Sequence, residues 1–393
     1  MAELPHMKAL VEPGRALTNE EKVRYSRHLL IPDVDILGQQ RLINAKVLCI
    51  GAGGLGSPTI LYLAAAGVGT IGILDFDRVE ITNLQRQIIH TQSDVGKSKA
   101  VSAAQKASAL NPSLNVNLHE MRFDESNAIE IISQYDLVID CTDNFATRYL
   151  INDSCALLGK PYIWGSIYRF DGQVSVFWSE HGACYRCLHP TAPPPGMVPS
   201  CAEGGVLGSL CGTIGSIQSS EAIKLITGIG EPLLGTLLVH NALDNTFMKV
   251  KIDKSRNCPI CSGAQRELLE SYESFCGVDP SSINDAITPV ELNLQLNSAS
   301  ELLLIDVREP YEFESGAIKG AKLHPVSQFE DDKFLNSLPR DKEIVLYCHS
   351  GIRSANCLAI LHRAGFTKAT HLKGGILAWK SMEIMGNQQN GSK

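Results

Sequence analysis

The chain has 393 residues, which is longer than a single typical core, so two domains are expected. Its 44% hydrophobic and 20% charged residues are typical of a soluble globular protein, and its net charge of −7 argues against nucleic-acid binding, which needs a basic face. The N-terminus lacks a signal sequence. The run over 47–74 has no charged residue and is long enough to span a membrane, but glycines and Pro58 divide it into strand, turn and helix. We therefore expect a cytoplasmic protein without a membrane span.

The N-terminal segment predicts a single helix over residues 18–30. Thr18 is a typical N-cap residue, and Glu21 three positions later completes a capping box. The helix carries Arg27 among several basic residues, and the simplest interpretation of these residues alone is a solvated basic face.

A glycine-rich turn follows the apolar run over residues 47–50. The sequence Gly51-Ala52-Gly53-Gly54-Leu55-Gly56 is typical of a strand that turns into a helix whose N-terminus holds a phosphate group. A second strand, over 70–74, ends at Asp75, where a carboxylate can accept hydrogen bonds from ribose hydroxyls. The pattern predicts a nucleotide, and by itself it first suggests NAD and hydride transfer.

Charged residues further along favour ATP over NAD. Arg86 offers a bidentate guanidinium and Lys99 a point charge, and both suit a triphosphate. Asp143 follows the buried strand over 137–140 and is predicted to hold Mg²⁺, although capping the next helix is an equally good role for it. We find no His or Tyr arrangement for hydride transfer.

Alternating strands and helices predict a doubly wound, Rossmann-like α/β sheet in the first part of the chain. The later segments 173–178, 237–240 and 247–252 predict an antiparallel extension of that sheet. We predict a first domain over residues 1–265, a polar linker over 266–286 and a small α/β domain over 287–393.

Six of the twelve cysteines stand out by their spacing or their surroundings. Cys184 and Cys187 form one Cys-x2-Cys pair and Cys258 and Cys261 another, and together they have the pattern of a closed zinc site. Cys201 lies in a segment rich in Pro and Gly, where an accessible reactive thiol and a passive thiol are equally plausible.

The sixth, Cys348, follows a buried strand and opens a six-residue loop that ends at Arg353. Backbone N–H groups, the next helix and Arg353 are expected to stabilise a thiolate or a persulfide there. Together with Asp306–Phe313 and Gly374–Trp379, the loop resembles a rhodanese domain, which implies that Cys348 carries a persulfide. The loop also resembles the Cys-x5-Arg loop of a phosphatase, but its length of six residues and the Asp306–Glu309 motif favour sulfur.

The first part of the chain resembles the ubiquitin-activating superfamily, in its MoeB/ThiF branch. The resemblance rests on Arg24–His28, Gly51–Gly56, Asp75–Asp77, Asn83–Gln87, Lys99 and Asp140–Asn144. It implies adenylation, with Mg-ATP, of the C-terminal glycine of a ubiquitin-fold sulfur carrier. The residues implied to bind the nucleotide are Gly51, Gly53, Gly54, Gly56, Asp75, Asp77, Asn83, Arg86, Gln87, Lys99, Asp143 and Asn144.

The same resemblance assigns further roles. Arg27 would reach across a homodimer into the partner's site, the zinc would be structural, and Cys201 would bond covalently to the activated carrier or to a sulfur donor. Combined with the rhodanese resemblance, it predicts that sulfur on Cys348 converts the carrier into a thiocarboxylate. The expected partners are a MoaD-, ThiS- or CysO-like carrier and a donor such as thiosulfate or a cysteine desulfurase.

Two alternatives remain at this stage. An enzyme of the same fold could pass its carrier by thioester to protein lysines, and a non-catalytic adaptor could merely bind a ubiquitin-fold protein. The combination of Arg86, Lys99 and Asp143 argues against the adaptor. The sequence does not identify the pathway, since molybdenum cofactor, thiamin, cysteine and tRNA-thiolation pathways use similar carriers.

Overall fold

A computed structural model of the chain describes residues 8–193, 204–276, 285–298, 302–349 and 351–390. These residues form two compact units, one within 1–192 and 199–276 and the other within 193–198 and 277–393. Among the residues described, none of the helices combines the length and the apolarity needed to cross a membrane.

Eight strands build the central sheet of the first unit: β1 (Lys46–Ile50), β2 (Thr70–Leu74), β3 (Asn115–His119), β4 (Leu137–Asp140), β5 (Tyr162–Tyr168), β6 (Asp171–Phe177), β7 (Thr236–Asn241) and β8 (Thr246–Lys251). Their order in the sheet is β3-β2-β1-β4-β5-β6-β7-β8. Pairing is parallel from β3 to β5 and antiparallel from β5 to β8. The predicted Rossmann-like half and its antiparallel extension are both confirmed.

Helices cover both faces of this sheet: α1 (Asn19–Arg24), α2 (Ser26–Leu29), α3 (Asp35–Asn44), α4 (Gly56–Ala66), α5 (Lys99–Leu110), α6 (Ala128–Ser133), α7 (Phe145–Leu157), α8 (Tyr185–Leu188), α9 (Gly208–Thr227) and α10 (Tyr272–Phe275). Alternate residues of β1 enter two separate cores. Cys49 lies in the core shared with α4, α5 and α9, whereas Leu48 lies in the core shared with α6 and α7. Because both faces are covered, the central parallel strands β1, β2 and β4 are largely apolar, whereas the edge strand β3 is polar and partly exposed.

The N-terminal helix is shorter than predicted. The capping box of Thr18 and Glu21 is confirmed, but the helix breaks at Tyr25 into α1 and α2. The Tyr25 ring is buried, and its hydroxyl accepts a hydrogen bond from Asn111 Nδ2 at 2.9 Å. Burying this side chain bends the backbone away from helical geometry, an effect of tertiary packing that local sequence does not reveal.

The first half of the predicted linker is part of the first unit. Within residues 266–276, Leu268, Leu269, Tyr272 and Phe275 pack with the core that contains α7. Polar composition predicted a linker here, but the few apolar side chains are enough to dock the segment.

The second unit is a smaller, fully parallel α/β unit. Its five strands lie in the order β11-β10-β12-β13-β9. They are β9 (Ala286–Ile287), β10 (Leu302–Asp306), β11 (Lys322–Leu323), β12 (Glu343–Tyr347) and β13 (Ala369–Leu372). The helices are α11 (Pro289–Asn297), α12 (Pro310–Glu314), α13 (Asp332–Ser337), α14 (Ile352–Arg363) and α15 (Gly375–Asn390). One core lies on each face of this sheet.

Candidate functional site

The glycine-rich turn between β1 and α4 closes only because glycines occupy it. Gly51 has φ of +97°, which favours glycine, and a Cβ there would lie 2.9 Å from the carbonyl oxygen of Cys141. A Cβ at Gly56 would overlap the carbonyl oxygen of Gly51, and one at Gly54 would lie 2.8 Å from Cys211 Sγ. The turn is therefore pressed onto the end of β4 and the start of α9.

Asp75 is tied to this turn by its own carboxylate. Its Oδ2 accepts the N–H of Ala52 at 2.8 Å, and its Oδ1 accepts the N–H of Asp77 at 2.8 Å. Burial raises the pKa of the Asp75 carboxyl, and the charge of Lys99 acts in the opposite direction. Lys99 is itself held at the site, since its Nζ lies 2.9 Å from Asp77 Oδ2.

Arg86 and Gln87 lie beside the glycine turn. Arg86 Cδ is 3.7 Å from the position a Cβ would take at Gly54, and Gln87 Nε2 is 3.5 Å from that position at Gly53. The Gln87 side chain is buried, and its Oε1 has no hydrogen-bond partner among the described residues. A buried carbonyl oxygen without a partner is costly, so it marks a place where a ligand or water can donate. Asn83 has a local role, since its Oδ1 accepts the N–H of Glu80.

At the end of β4, Asn144 rather than Asp143 caps the next helix. Asn144 Oδ1 accepts the N–H of Thr147 at 2.8 Å, which makes it the N-cap of α7. The capping role considered for Asp143 is therefore wrong, and the Asp143 carboxylate is exposed at the carboxyl edge of the sheet. The nucleotide-binding role predicted for Asn144 stays a prediction, beside this structural one.

Sequence reasoning missed a buried polar cluster next to this edge. Asp140 Oδ1 accepts hydrogen bonds from the N–H and hydroxyl of Thr142, at 2.9 and 2.7 Å. Its Oδ2, the Nε of Arg148 and the Nε1 of Trp164 are buried without hydrogen-bond partners among the described residues. Burial raises the pKa of the Asp140 carboxyl to about 6. The only sequence signal was the charge of Asp140 at the end of an otherwise apolar strand.

We expect the Asp140→Asn variant to be more stable than the parent protein at pH 7.5 but not at pH 4. The pKa of the Asp140 carboxyl is about 6 in the folded protein, against an ordinary value of 3.8, so ionising this buried group destabilises the folded state as pH rises between the two values. A pKa difference of about 2 between the folded and unfolded states corresponds to about 3 kcal/mol of unfolding free energy. Urea unfolding followed by tryptophan fluorescence at both pH values measures this.

The exposed neighbour Asp143 provides the matched control for that experiment. Asp143→Asn removes the same charge from a solvated position and should change stability by less than about 0.5 kcal/mol at either pH. An Asp140→Asn gain that is equal at the two pH values would rule out ionisation as its cause.

The four predicted metal ligands converge. The sulfur atoms of Cys184, Cys187, Cys258 and Cys261 all lie within 4.8 Å of one another. The Cys184–Cys258 and Cys187–Cys261 sulfur distances are 3.5 and 3.6 Å, and the Cys184–Cys187 distance is 3.9 Å. A tetrahedron of sulfurs about 2.3 Å from a metal has edges of about 3.8 Å, so the four sulfurs fit a closed metal site.

A buried carboxylate, also missed, anchors this cysteine cluster to α7. Arg186, between the two cysteines of the first pair, donates to Asp153 from Nε at 2.8 Å and Nη2 at 2.7 Å. The Tyr272 hydroxyl and Gln265 Nε2 donate to Asp153 Oδ2 at 2.7 and 3.1 Å. Asp153 thus joins α7, the cysteine cluster and residues 265–272.

In the second unit, Cys348 is buried at the end of β12. Its Sγ accepts the N–H of Gly351 at 3.1 Å, and the hydroxyl oxygen of Ser354 lies 3.6 Å from it. The N–H groups of Ile376 and Leu377, in the first turn of α15, bond to the carbonyls of Cys348 and His349 at 2.9 and 3.2 Å. The carbonyl groups of the loop thus point away from the sulfur, toward donors of α15. This orientation supports the prediction that the loop's N–H groups face the sulfur. Ser354 was not predicted.

Arg353 forms an ion pair with α12. Its two Nη atoms each lie 2.7 Å from a carboxylate oxygen of Glu312, in α12. Arg353 thus holds the loop to α12, and its contact with a sulfur-bound anion stays a prediction.

The predicted roles of two further site residues, Arg27 and Cys201, stay predictions. Arg27 is exposed on α2, and its role in a partner's site stays a prediction. Cys201 lies outside the described residues.

Comparisons with known proteins agree with this arrangement. The ThiF family model matches residues 25–260, and the rhodanese-like domain model matches residues 288–382. The chain is 56% identical over 379 residues to the probable adenylyltransferase/sulfurtransferase MoeZ of Mycobacterium tuberculosis, covering 94% of this chain and 95% of the relative. It is 50% identical over 268 residues to the sulfur carrier protein adenylyltransferase of Thermus thermophilus, covering 66% of this chain and 98% of the relative.

A third relative and a solved structure extend the comparison. The adenylyltransferase and sulfurtransferase MOCS3 of Drosophila yakuba is 41% identical over 394 residues, covering 94% of this chain and 86% of the relative. Escherichia coli MccB, solved with ATP, is similar in fold, with a TM-score of 0.54 and 23% identity over 64% of this chain and 77% of that chain. The chain therefore belongs to the ThiF family and carries a rhodanese-like domain on the C-terminal side of the ThiF match.

Proposed function

We propose that this enzyme adenylates the C-terminal glycine of a ubiquitin-fold sulfur carrier and then converts it into a thiocarboxylate with sulfur carried on Cys348. The observation that carries the proposal is the assembly of Asp75, Lys99, Arg86 and Gln87 around the glycine turn, in a chain that also contains the Cys348 loop. Relatives that span almost the whole chain are adenylyltransferases and sulfurtransferases.

In the first step, a carboxylate oxygen of the carrier attacks the α-phosphorus of ATP and pyrophosphate leaves. The N–H groups of the glycine turn, Arg86 and Lys99 would bind the phosphates, and Asp75 the ribose. Mg²⁺ would neutralise phosphate charge, and the exposed Asp143 carboxylate is the residue we propose to hold it. The product is an acyl-adenylate, in which AMP is a good leaving group.

Sulfur is loaded and delivered by Cys348. Its thiolate attacks the outer sulfur of thiosulfate, sulfite leaves, and a persulfide remains. The terminal sulfur of the persulfide then attacks the acyl-adenylate, AMP leaves, and an acyl disulfide links the carrier to Cys348. A thiolate, proposed to be Cys201, attacks the Cys348 sulfur and releases the thiocarboxylate. The resulting Cys201–Cys348 disulfide is opened by a dithiol reductant.

The function is tested by weighing candidate carriers after reaction. The full-length enzyme is incubated with MoaD-, ThiS- or CysO-like carriers, ATP and thiosulfate, and intact carrier mass is measured. We expect one oxygen to be replaced by sulfur in at least one carrier. A carrier found on protein lysines, or as a Cys201 thioester without sulfur exchange, would support conjugation instead.

We further propose that the four-cysteine site holds structural zinc. The metal would join α8 to the turn around Cys258, two segments that are far apart in sequence. Zinc-bound Cys₄ sites contribute directly to folding free energy.

Cys258→Ser should therefore abolish zinc binding and lower the thermal unfolding temperature by at least about 10 °C. Zinc content is read by elemental analysis of the purified protein. Cys276→Ser changes a buried cysteine outside the cluster and should keep full zinc content. Persulfide loading of Cys348 should survive in both variants. Full zinc content in Cys258→Ser would overturn the assignment.

We also propose a homodimer in which Arg27 reaches the partner's nucleotide site. Supporting this, Val23 and Leu30 are 77% and 71% exposed on either side of Arg27. A groove of about 250 Å³ lies between α2, α4 and α9 and is lined by His28 and Tyr62 among others. The Tyr62 side chain is 56% exposed, so exposed apolar surface is also present on α4. Analytical ultracentrifugation tests this, and a monomer at micromolar concentration would contradict it.

A further inference from the structure

The hydroxyl group of Ser354 lies next to the sulfur of Cys348. Ser354 is fully buried in the first turn of α14, and its Oγ lies 3.6 Å from Cys348 Sγ. A hydrogen bond to an anionic sulfur is stronger than one to a neutral acceptor. Ser354 is thus placed to stabilise a thiolate, together with the N–H of Gly351.

The same hydroxyl has a competing acceptor. Ser354 Oγ is also 3.0 Å from the carbonyl oxygen of Gly351. A hydroxyl has a single hydrogen, so it can donate fully to the Cys348 sulfur or to the Gly351 carbonyl. Something else must decide the direction in which it points.

His371, on β13, lies next to Ser354 and Gly351. Its Nδ1 lies 3.5 Å from Ser354 Oγ, and its ring also contacts the Gly351 carbonyl. With its single hydrogen on Nδ1, a neutral imidazole cannot accept the hydroxyl hydrogen of Ser354. It also competes with that hydroxyl for the Gly351 carbonyl, which favours the Cys348 sulfur as the acceptor for the hydroxyl hydrogen.

We propose that Ser354 donates a hydrogen bond to the sulfur of Cys348, and that His371 is a positioning residue that turns this hydroxyl toward the sulfur. The proposal rests on the proposed function only in taking Cys348 as the sulfur carrier. In loading, the Cys348 thiolate attacks the outer sulfur of thiosulfate and sulfite departs with the bonding electron pair. The Ser354 hydrogen bond stabilises the thiolate that makes this attack.

The surroundings of His371 favour a neutral ring at working pH. Burial lowers the pKa of His371, while the carboxylate of Asp285 acts in the opposite direction. Asp285 is shared with His362 of α14, whose Nδ1 lies 3.7 Å from its Oδ2. These two groups and Cys348 are the ionisable side chains to consider in any pH profile of His371 variants.

The test follows alkylation of Cys348 by iodoacetamide in the full-length protein, resolved by mass spectrometry of its peptide at each pH. For Ser354→Ala we expect the half-maximal pH of alkylation to rise by about one unit, and the rate at pH 6.5 to fall about tenfold. Ser354→Thr keeps the hydroxyl and should stay close to the parent protein. His371→Leu should shift the profile in the same direction as Ser354→Ala, by a smaller amount.

Ser337→Ala, on α13 and exposed, is the matched control and should change nothing. Because neither ATP nor carrier is present, the outcome is independent of the adenylation step. An unchanged profile in Ser354→Ala, or a Ser354→Thr profile that matches Ser354→Ala, would overturn the role of Ser354. An unchanged profile in His371→Leu would overturn the positioning role. If the Ala variant does not fold, Ser354→Cys keeps the volume with a weaker donor and must shift the profile the same way.

Discussion

Cys348→Ala is expected to reduce thiocarboxylate formation by at least about 10³-fold, because Cys348 is the residue proposed to carry the transferred sulfur. Carrier-dependent ATP–pyrophosphate exchange should be unchanged, since Asp75, Arg86 and Lys99 all belong to the first unit. Both quantities are measured on the same preparation, one by intact carrier mass and the other by labelled pyrophosphate incorporation.

The control for this variant is Cys357→Ser, on α14. Cys357 is buried like Cys348 and belongs to the same core, but it lies outside the loop. It should keep both activities if it folds. Persistent thiocarboxylate made from thiosulfate by Cys348→Ala would contradict the route through this residue, whereas loss of exchange would show that the two units are not catalytically separable.

Lys99→Ala should reduce carrier-dependent ATP–pyrophosphate exchange by about 10²- to 10³-fold. Removing one positioned charge from a phosphoryl-transfer site typically has an effect of this size, since charge develops on the leaving pyrophosphate. The ion pair with Asp77 holds Lys99 in place, so Asp77→Asn should give a smaller loss of the same kind. Initial rates over a range of ATP concentrations separate an effect on KM from one on kcat.

Lys97 is a matched control two residues away. It pairs with Asp94 at 3.1 Å and its side chain is 51% exposed, so Lys97→Ala should leave exchange within about twofold of the parent protein. If Lys99→Ala and Lys97→Ala behaved alike, Lys99 would have no special role at the phosphates.

Features that depend on short-range pattern were predictable from the sequence. The β1–Gly51 turn, the second strand ending at Asp75 and the capping box at Thr18 follow from local backbone chemistry, and the structure contains all three. The paired spacing of the four cysteines also suffices to predict their convergence, because four thiols in two such pairs have few other common uses.

Features that depend on tertiary contacts were not predictable in this way. The break at Tyr25 and the pairing of Arg353 with Glu312 each depend on where another segment lies. Asp140 and Asp153 look in the sequence like ordinary acidic residues at the ends or faces of apolar elements. Only the structure shows that both carboxylates are fully buried and surrounded by polar groups of other segments.

The anchoring of residues 265–276 on Asp153 determines where the chain can be shortened. A protein truncated after Gln265, at the boundary suggested by composition, would lose the Tyr272 hydroxyl from a buried carboxylate. It would also uncover the ring of Tyr149, which packs against Phe275 at 5.0 Å. Truncation after Cys276 keeps both contacts, so the shortest version of the first unit that folds well should end there, eleven residues later than the sequence alone suggests.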